Sequence, residues 1–229
     1  MATKNEIDGM RWFKSQFGAK IKDAIKETPF TVDLLTAIAV QESFEVWGKI
    51  FKKRSADKVL ELCVGDSIGA PTRKAFPKTK DELLKLKKPD GAKLHGIARD
   101  HLKAVGEFYK PYMTAWNQGK FCHAFGIFQY DIQYFKNDPA YFLQKRWSDF
   151  DVCLAHAIRE LKTAQKGAKL AGKKTLTDME QIFVAIVYNA GAKYFDPAKG
   201  AKQGHYNKKE KKYYGQYIQN YLAAAKSIP

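Results

Sequence analysis

Glu42 stands where an apolar helical stretch gives way to polar residues, which makes it the first candidate for acid–base chemistry. In the segment from Pro29 to Ser43, the residues Leu34, Leu35, Ile38 and Ala39 recur at helical spacing. Glu42 continues that stripe, four residues after Ile38 and eight after Leu34, so it points inward with them. Thr31 can cap the helix start and Asp33 suits its first turn, which leaves Glu42 near the negative, C-terminal end of the helix dipole. Burial and that dipole both disfavour a carboxylate anion and move its pKa toward neutrality, the property a general acid needs. The plain alternative is a helix-end glutamate turned to solvent.

Two more segments set turn residues against aromatic and amide side chains. In Phe125-Gly126-Ile127-Phe128-Gln129-Tyr130, Gly126 allows a ligand close to the backbone. Gln129 there offers an amide to hydroxyl or acetamido groups. In Val187-Tyr188-Asn189-Ala190-Gly191, Tyr188 and Asn189 combine an apolar platform with polar groups, and Gly191 reads as a helix stop. Each alone also reads as an ordinary buried turn or helix cap.

In this order, Glu42-Ser43 after an apolar helix, then Gly126-Ile127-Phe128-Gln129, then Tyr188-Asn189-Ala190-Gly191, resemble the motif succession of the soluble lytic transglycosylases and goose-type lysozymes. Tyr213-Tyr214-Gly215-Gln216-Tyr217-Ile218 resembles the final tyrosine-bearing motif of the transglycosylase group. The resemblance covers four short islands, and their order is its most telling part. It implies a mainly α, lysozyme-like helical domain around a saccharide groove, with Glu42 as the catalytic acid. Ser43, Gln129, Tyr188 and Asn189 would hold the acid or the sugar, and Tyr217 would lie near the acid at the floor of the site. Phe128, Tyr130 and Trp116 are the aromatics expected to meet sugar rings. The 83 residues between Glu42 and Gly126 exceed what these families usually place there. Residues 49–123 are therefore expected to form a mixed insertion subdomain, one side of the groove, within a single domain spanning 1–229.

Glycoside cleavage needs an acid at the leaving oxygen, and inverting hydrolysis needs a second carboxylate about 6.5–9.5 Å away to activate water. A lytic transglycosylase works with one glutamate, because the sugar's own 6-hydroxyl closes an anhydro ring in place of water. Asp131, two residues past Gln129, and Asp66, in the Gly-flanked Cys63-Val64-Gly65-Asp66-Ser67, are the candidate second carboxylates, with Glu45 behind them. Any of these could equally be solvated. Lyase and hydrolase both stay open, as does a chitinase-like hydrolase on the same fold.

The elements that must position these residues are mostly helical. Apolar spacing predicts helices over Ile7–Lys26, up to about Glu42, and over Asp81–Lys87, Ile97–Tyr109, Pro139–Trp147, Phe150–Gln165, Thr177–Tyr188 and Lys211–Ala225. Thr177 and Glu180 stand at capping-box spacing. The stretch 195–212 reads as a mobile basic loop.

Composition bounds the partner. The net charge of +16 favours an anionic target, here peptidoglycan glycan strands rather than uncharged chitin. A non-catalytic basic protein binding glycan or nucleic acid is the competing class, carried by the run Lys162, Lys166, Lys169, Lys173, Lys174 and by a second run from Lys208 to Lys212. No specific nucleic-acid motif accompanies either run. The five histidines show no paired ligand spacing, so no metal or cofactor is expected. Three cysteines without C-x-x-C spacing read as a reduced buried trio, with a Cys63–Cys122 bridge as the open alternative. No stretch reaches membrane-span length and no secretory signal is visible at Met1–Asp8. A monomer acting on the cell wall or periplasm after export, delivery or lysis is the expectation.

Overall fold

Thr3 opens the first helix with a capping box: its hydroxyl accepts the Glu6 N–H, and the Glu6 carboxylate accepts the Thr3 N–H at 2.6 Å. The computed structural model describes residues 1–67, 73 and 75–229, with Asp66 and Ser67 as backbone only. Among these residues the helices are α1 (Lys4–Ala24), α2 (Val32–Trp47), α3 (Ala56–Leu62), α4 (Lys80–Leu84), α5 (Asp90–Gly106), α6 (Lys110–Asn117), α7 (Pro139–Leu143), α8 (Phe150–Gly167), α9 (Asp178–Ala190) and α10 (Tyr214–Lys226). The strands are short: β1 (Val64–Ser67), β2 (Cys122–Phe125), β3 (Tyr130–Asp131), β4 (Tyr206–Asn207) and β5 (Lys212–Tyr213). The protein is thus mainly α, as its periodicity predicts.

The chain divides into two compact units, Met1–Phe44 with Leu154–Pro229, and Glu45–Cys153. The second is wider than the 49–123 insertion expected from the sequence and takes in the Gly126–Gln129 segment.

In the first unit, α2 is buried on every side from Leu34 to Val40, as befits a helix apolar all round. The Thr31 hydroxyl accepts the Leu34 N–H at 3.1 Å and donates to Oε1 of Gln181 on α9 at 2.7 Å, so one residue caps α2 and ties it to α9. Lys14 of α1 pairs with Asp33 of α2 at 2.7 Å and donates to the Ala225 and Ile228 carbonyls, closing the end of α10. The Thr177–Glu180 capping box opens α9, and Gly191 stops it at φ 78, a conformation that suits glycine. The expected end of α2 near Glu42 is overturned. Val46 and Trp47 carry its buried face onward, so Glu42 lies inside the helix rather than in its last turn.

The second unit is built on an antiparallel sheet of order β1-β2-β3, with Val64 opposite Phe125 and Ala124 opposite Asp131. Gly126–Gln129 form the turn from β2 to β3, closed by the Gln129 N–H on the Gly126 carbonyl at 3.0 Å. Helices α3 and α6 lie in the mixed stretch, outside the two helices expected there at Asp81–Lys87 and Ile97–Tyr109. The basic stretch 195–212 contains β4 and the first residue of β5, and the two strands pair Tyr206 with Tyr213 and Asn207 with Lys212.

Cys63, Cys122 and Cys153 are all free and buried, so Cys63 and Cys122 form no bridge. Burial pushes the Cys153 thiol up and keeps it unreactive. Among the described residues no helix is long and apolar enough to cross a membrane.

Candidate functional site

Glu42 is half-buried on α2, and its Oε1 accepts a 2.6 Å hydrogen bond from the Tyr214 hydroxyl. Tyr214 is the first residue of α10 and only 3% exposed. Its backbone is set by two ties to the preceding loop, Tyr214 N–H to the His205 carbonyl at 2.8 Å and Gly215 N–H to the Gln203 carbonyl at 3.1 Å. At Gly215 a Cβ would come within 2.5 Å of the Ala201 carbonyl and 2.7 Å of Ile186, so only glycine lets this turn lie flush against α9. Gln203, itself buried, holds the loop from inside: its amide donates to the Asp196 and Gly200 carbonyls and accepts the Asp196 N–H. No motif in the sequence marks Gln203 for this task.

Burial pushes the Tyr214 phenol well above its ordinary range, and the Glu42 charge, the hydrogen bond to Glu42 and nearby Tyr188 add to the effect. Tyr214 therefore remains an O–H donor across the neutral range. Tyr188 is half-buried and Asn189 exposed at the end of α9. The Asn189 amide oxygen faces Gly204, whose φ of +86 tucks its backbone against Tyr214. The first unit thus gathers Glu42, Tyr214, Tyr188 and Asn189.

Two expected members fall away. Tyr217 does not meet the acid: its hydroxyl donates to Glu210 at 2.9 Å, and burial with Glu210 pushes its phenol up to about 12. The tyrosine on Glu42 is Tyr214, almost one helical turn earlier. Ser43 is 4% exposed and its hydroxyl donates to the Ala39 carbonyl, which leaves no surface for a sugar.

In the second unit, Gln129 adopts φ 56, rare for a side-chain-bearing residue, and its amide donates to the Gly126 carbonyl at 2.7 Å. Its side chain lies across Gly65, where a Cβ would stand 1.7 Å from the amide oxygen. Gly126 is not a ligand approach. A Cβ there would meet Cys153 and Tyr141 at 2.7 Å, so the core itself takes up the space. Phe128 and Tyr130, 2% and 7% exposed, are core aromatics rather than sugar platforms; Phe128 packs on Phe150, and Tyr130 stacks on Tyr134 and Phe142. Trp116 has its face covered by Arg99 at 4.7 Å and Lys103 at 5.2 Å.

Asp131 is committed as well. Arg73 grips both its oxygens, at 2.8 and 3.1 Å, His123 Nδ1 lies 3.0 Å from Oδ2, and Oδ1 also accepts the Gln133 N–H at 2.8 Å. Burial raises the Asp131 pKa, but the His123, Arg73 and Gln133 hydrogen bonds outweigh it and hold the carboxyl below the usual range. An anion so held is a structural ion pair and a poor base for water. Glu45 is exposed, and the side chain of Asp66 lies outside the described residues.

The arrangement around Glu42 can deliver a proton and receive one, with a phenol fixing one carboxyl oxygen. Among the described residues no group of three or more histidine, cysteine or acidic side chains could hold a metal ion. Comparison with protein-family models, with curated proteins and with solved structures finds no match to this chain.

Proposed function

We propose that this protein is an enzyme that cleaves β-1,4 glycosidic bonds in peptidoglycan, with Glu42 as general acid and then base. The observation that carries the reading is the half-buried Glu42 held by the buried Tyr214 hydroxyl at 2.6 Å, with Tyr188 near that phenol and Asn189 facing the adjoining Gly204. A carboxyl in a partly apolar setting, oriented by a neutral donor, is equipped to protonate a glycosidic oxygen. As the C1–O bond breaks, the Glu42 proton passes to the leaving sugar and an oxocarbenium-like centre develops at C1. The Tyr214 hydroxyl then stabilises the carboxylate left behind. In the closing step that carboxylate takes a proton from the attacking oxygen. If the attacker is the sugar's own 6-hydroxyl, the product carries an anhydro end; if it is water, a reducing end.

The engagement of both Asp131 oxygens argues against Asp131 as the second carboxylate. It favours the single-glutamate, lytic-transglycosylase route over hydrolysis. A lysozyme-like fold belongs to the same proposal, as does action at the cell wall. The +16 charge supports an anionic wall strand as substrate over chitin.

The test is fragment release from purified peptidoglycan by the native chain and by Glu42→Gln, with mass spectrometry of the ends and a chitin oligomer in parallel. Fragments with anhydro ends that the variant does not release support the proposal. Equal release by both proteins would sink Glu42 as the acid, and no release by either would leave a glycan-binding protein.

A further inference from the structure

A second candidate site lies on the first unit, in the segment the sequence singled out only as a basic run. A cavity of about 510 Å³ opens between the end of α1, the last turns of α8 and the loop that follows. Lys26, Lys162, Lys166, Lys173 and Lys174 line it against one carboxylate, Glu27. The loop is held in place: buried Gln165 donates its amide to the Leu170 carbonyl at 2.9 Å and the Lys173 carbonyl at 3.3 Å, and Gly172 turns at φ 80. Two of the lysines have partners, Lys26 with Asp23 and Lys173 with Glu180. Among the described residues Lys162, Lys166 and Lys174 have no carboxylate within ion-pair reach, and all three are exposed.

Helices α1 and α8 both end here, and each contributes roughly half a negative charge from its carbonyls. That cancels about one lysine and leaves the cavity positive. The lining holds no aromatic ring and no arginine. There is no platform for a base or sugar ring and no planar fork for a single carboxylate. What remains is a row of point charges on flexible stems, which suits successive oxyanions along a chain.

We infer that this cavity binds a linear phosphodiester chain through its backbone charges alone, whether nucleic-acid strand or polyol phosphate. The site stands apart from Glu42 and does not depend on the glycosidase reading.

Because any polyanion will cling to a protein of +16, the test must hold total charge constant. One variant carries Lys162→Gln, Lys166→Gln and Lys174→Gln; the control carries Lys208→Gln, Lys209→Gln and Lys211→Gln, removing the same charge from exposed positions elsewhere. Binding is read by fluorescence anisotropy with a labelled oligothymidylate, a base-free deoxyribose-phosphate strand of equal length and poly(glycerol phosphate). The salt range is about 50 to 200 mM. The cavity variant should bind all three about tenfold more weakly than the native chain, with a log–log salt slope shallower by about two. The control should stay within about threefold of native. Equal losses in the two variants would reduce the site to diffuse charge. Binding that needs the bases, or inorganic phosphate competing as well as the chains do, would overturn the backbone reading. A lower melting temperature without weaker binding would show that the lysines only complement the ends of α1 and α8.

Discussion

The hydroxyl of Tyr214 and the carboxylate of Glu42, 172 residues apart in the chain, meet at 2.6 Å. The phenol is buried and the acid half-buried, so the bond is formed where water competes little. It joins the start of α10 to the middle of α2, and the loop that aims it is fastened by Gln203. Stability and the proposed chemistry therefore share one hydrogen bond, and its removal should be visible in both.

Tyr214→Phe keeps the ring and deletes the donor. A hydrogen bond to a charged group is worth about 1.5–3 kcal/mol, so turnover on peptidoglycan should fall roughly ten- to a hundredfold. The melting temperature should also drop, while the circular-dichroism spectrum stays native. Tyr217→Phe, which loses the hydroxyl's contacts with exposed Glu210 and with Asn207, should leave turnover within about twofold. If the two variants exchange these behaviours, the acid is served by Tyr217 and the placement of Tyr214 is wrong.

The distinction between those tyrosines could not be read from the sequence. Both belong to Tyr213-Tyr214-Gly215-Gln216-Tyr217, and three residues on a helix nearly complete a turn, so either could face a given neighbour. What selects Tyr214 is where α10 begins, and that follows from the ties back to His205 and Gln203, backbone contacts that no side-chain motif marks. The helix lengths show the same limit. The capping box at Thr177 and the stop at Gly191 are local chemistry and are legible. The run Gln41-Glu42-Ser43 looked like an ending because three polar residues interrupt the apolar pattern, although α2 continues through them to Trp47. Phe128 and Tyr130 mislead for a related reason: an aromatic side chain has the same pattern in a core as on a sugar platform, and only burial tells them apart.

Alkaline titration should find Tyr214 protonated after exposed tyrosines have ionised. Its phenol is raised by burial and by Glu42, so the folded chain holds a proton that the unfolded chain gives up near pH 10. The native state then binds more protons than the unfolded state. The stabilisation is complete below about pH 10 and is lost as pH rises toward the folded-state value. Absorbance at 295 nm should show a late-ionising class of tyrosines, smaller by one in Tyr214→Phe. An unchanged late class in that variant would contradict the burial of this hydroxyl.

Asp131 should matter to stability at neutral pH, a role it loses in acid, rather than to the proposed catalysis. Its carboxyl is held below the usual range by His123, Arg73 and Gln133, so the folded state favours the anion. That contribution is present above the unfolded value of about 3.9 and disappears as pH falls through the folded one. Asp131→Asn should cost about 2–3 kcal/mol at neutral pH by leaving Arg73 without its partner. The loss relative to native should shrink in urea melts near pH 3. Turnover well below the melting transition should stay within about threefold of native. A hundredfold loss in a folded Asp131→Asn would restore this residue as the second carboxylate and with it the hydrolase route.

Gly65 and Gln129 should prove energetically coupled although one lies on β1 and the other in the turn from β2 to β3. A Cβ at Gly65 would stand 1.7 Å from the Gln129 amide oxygen, so Gly65→Ala must swing that side chain away and break its bond to the Gly126 carbonyl. The expected cost is about 1–2 kcal/mol, one hydrogen bond plus a forced rotamer. Gln129→Ala removes the obstacle and the same bond at once. Its backbone strain at φ 56 is common to both arms of the comparison and cancels. With Gln129 already truncated, adding Gly65→Ala should cost far less, giving a coupling energy of about 1 kcal/mol in a double-mutant cycle. Chemical denaturation of the four proteins measures it. Additivity within about 0.5 kcal/mol would mean that the Gln129 side chain does not lie across Gly65.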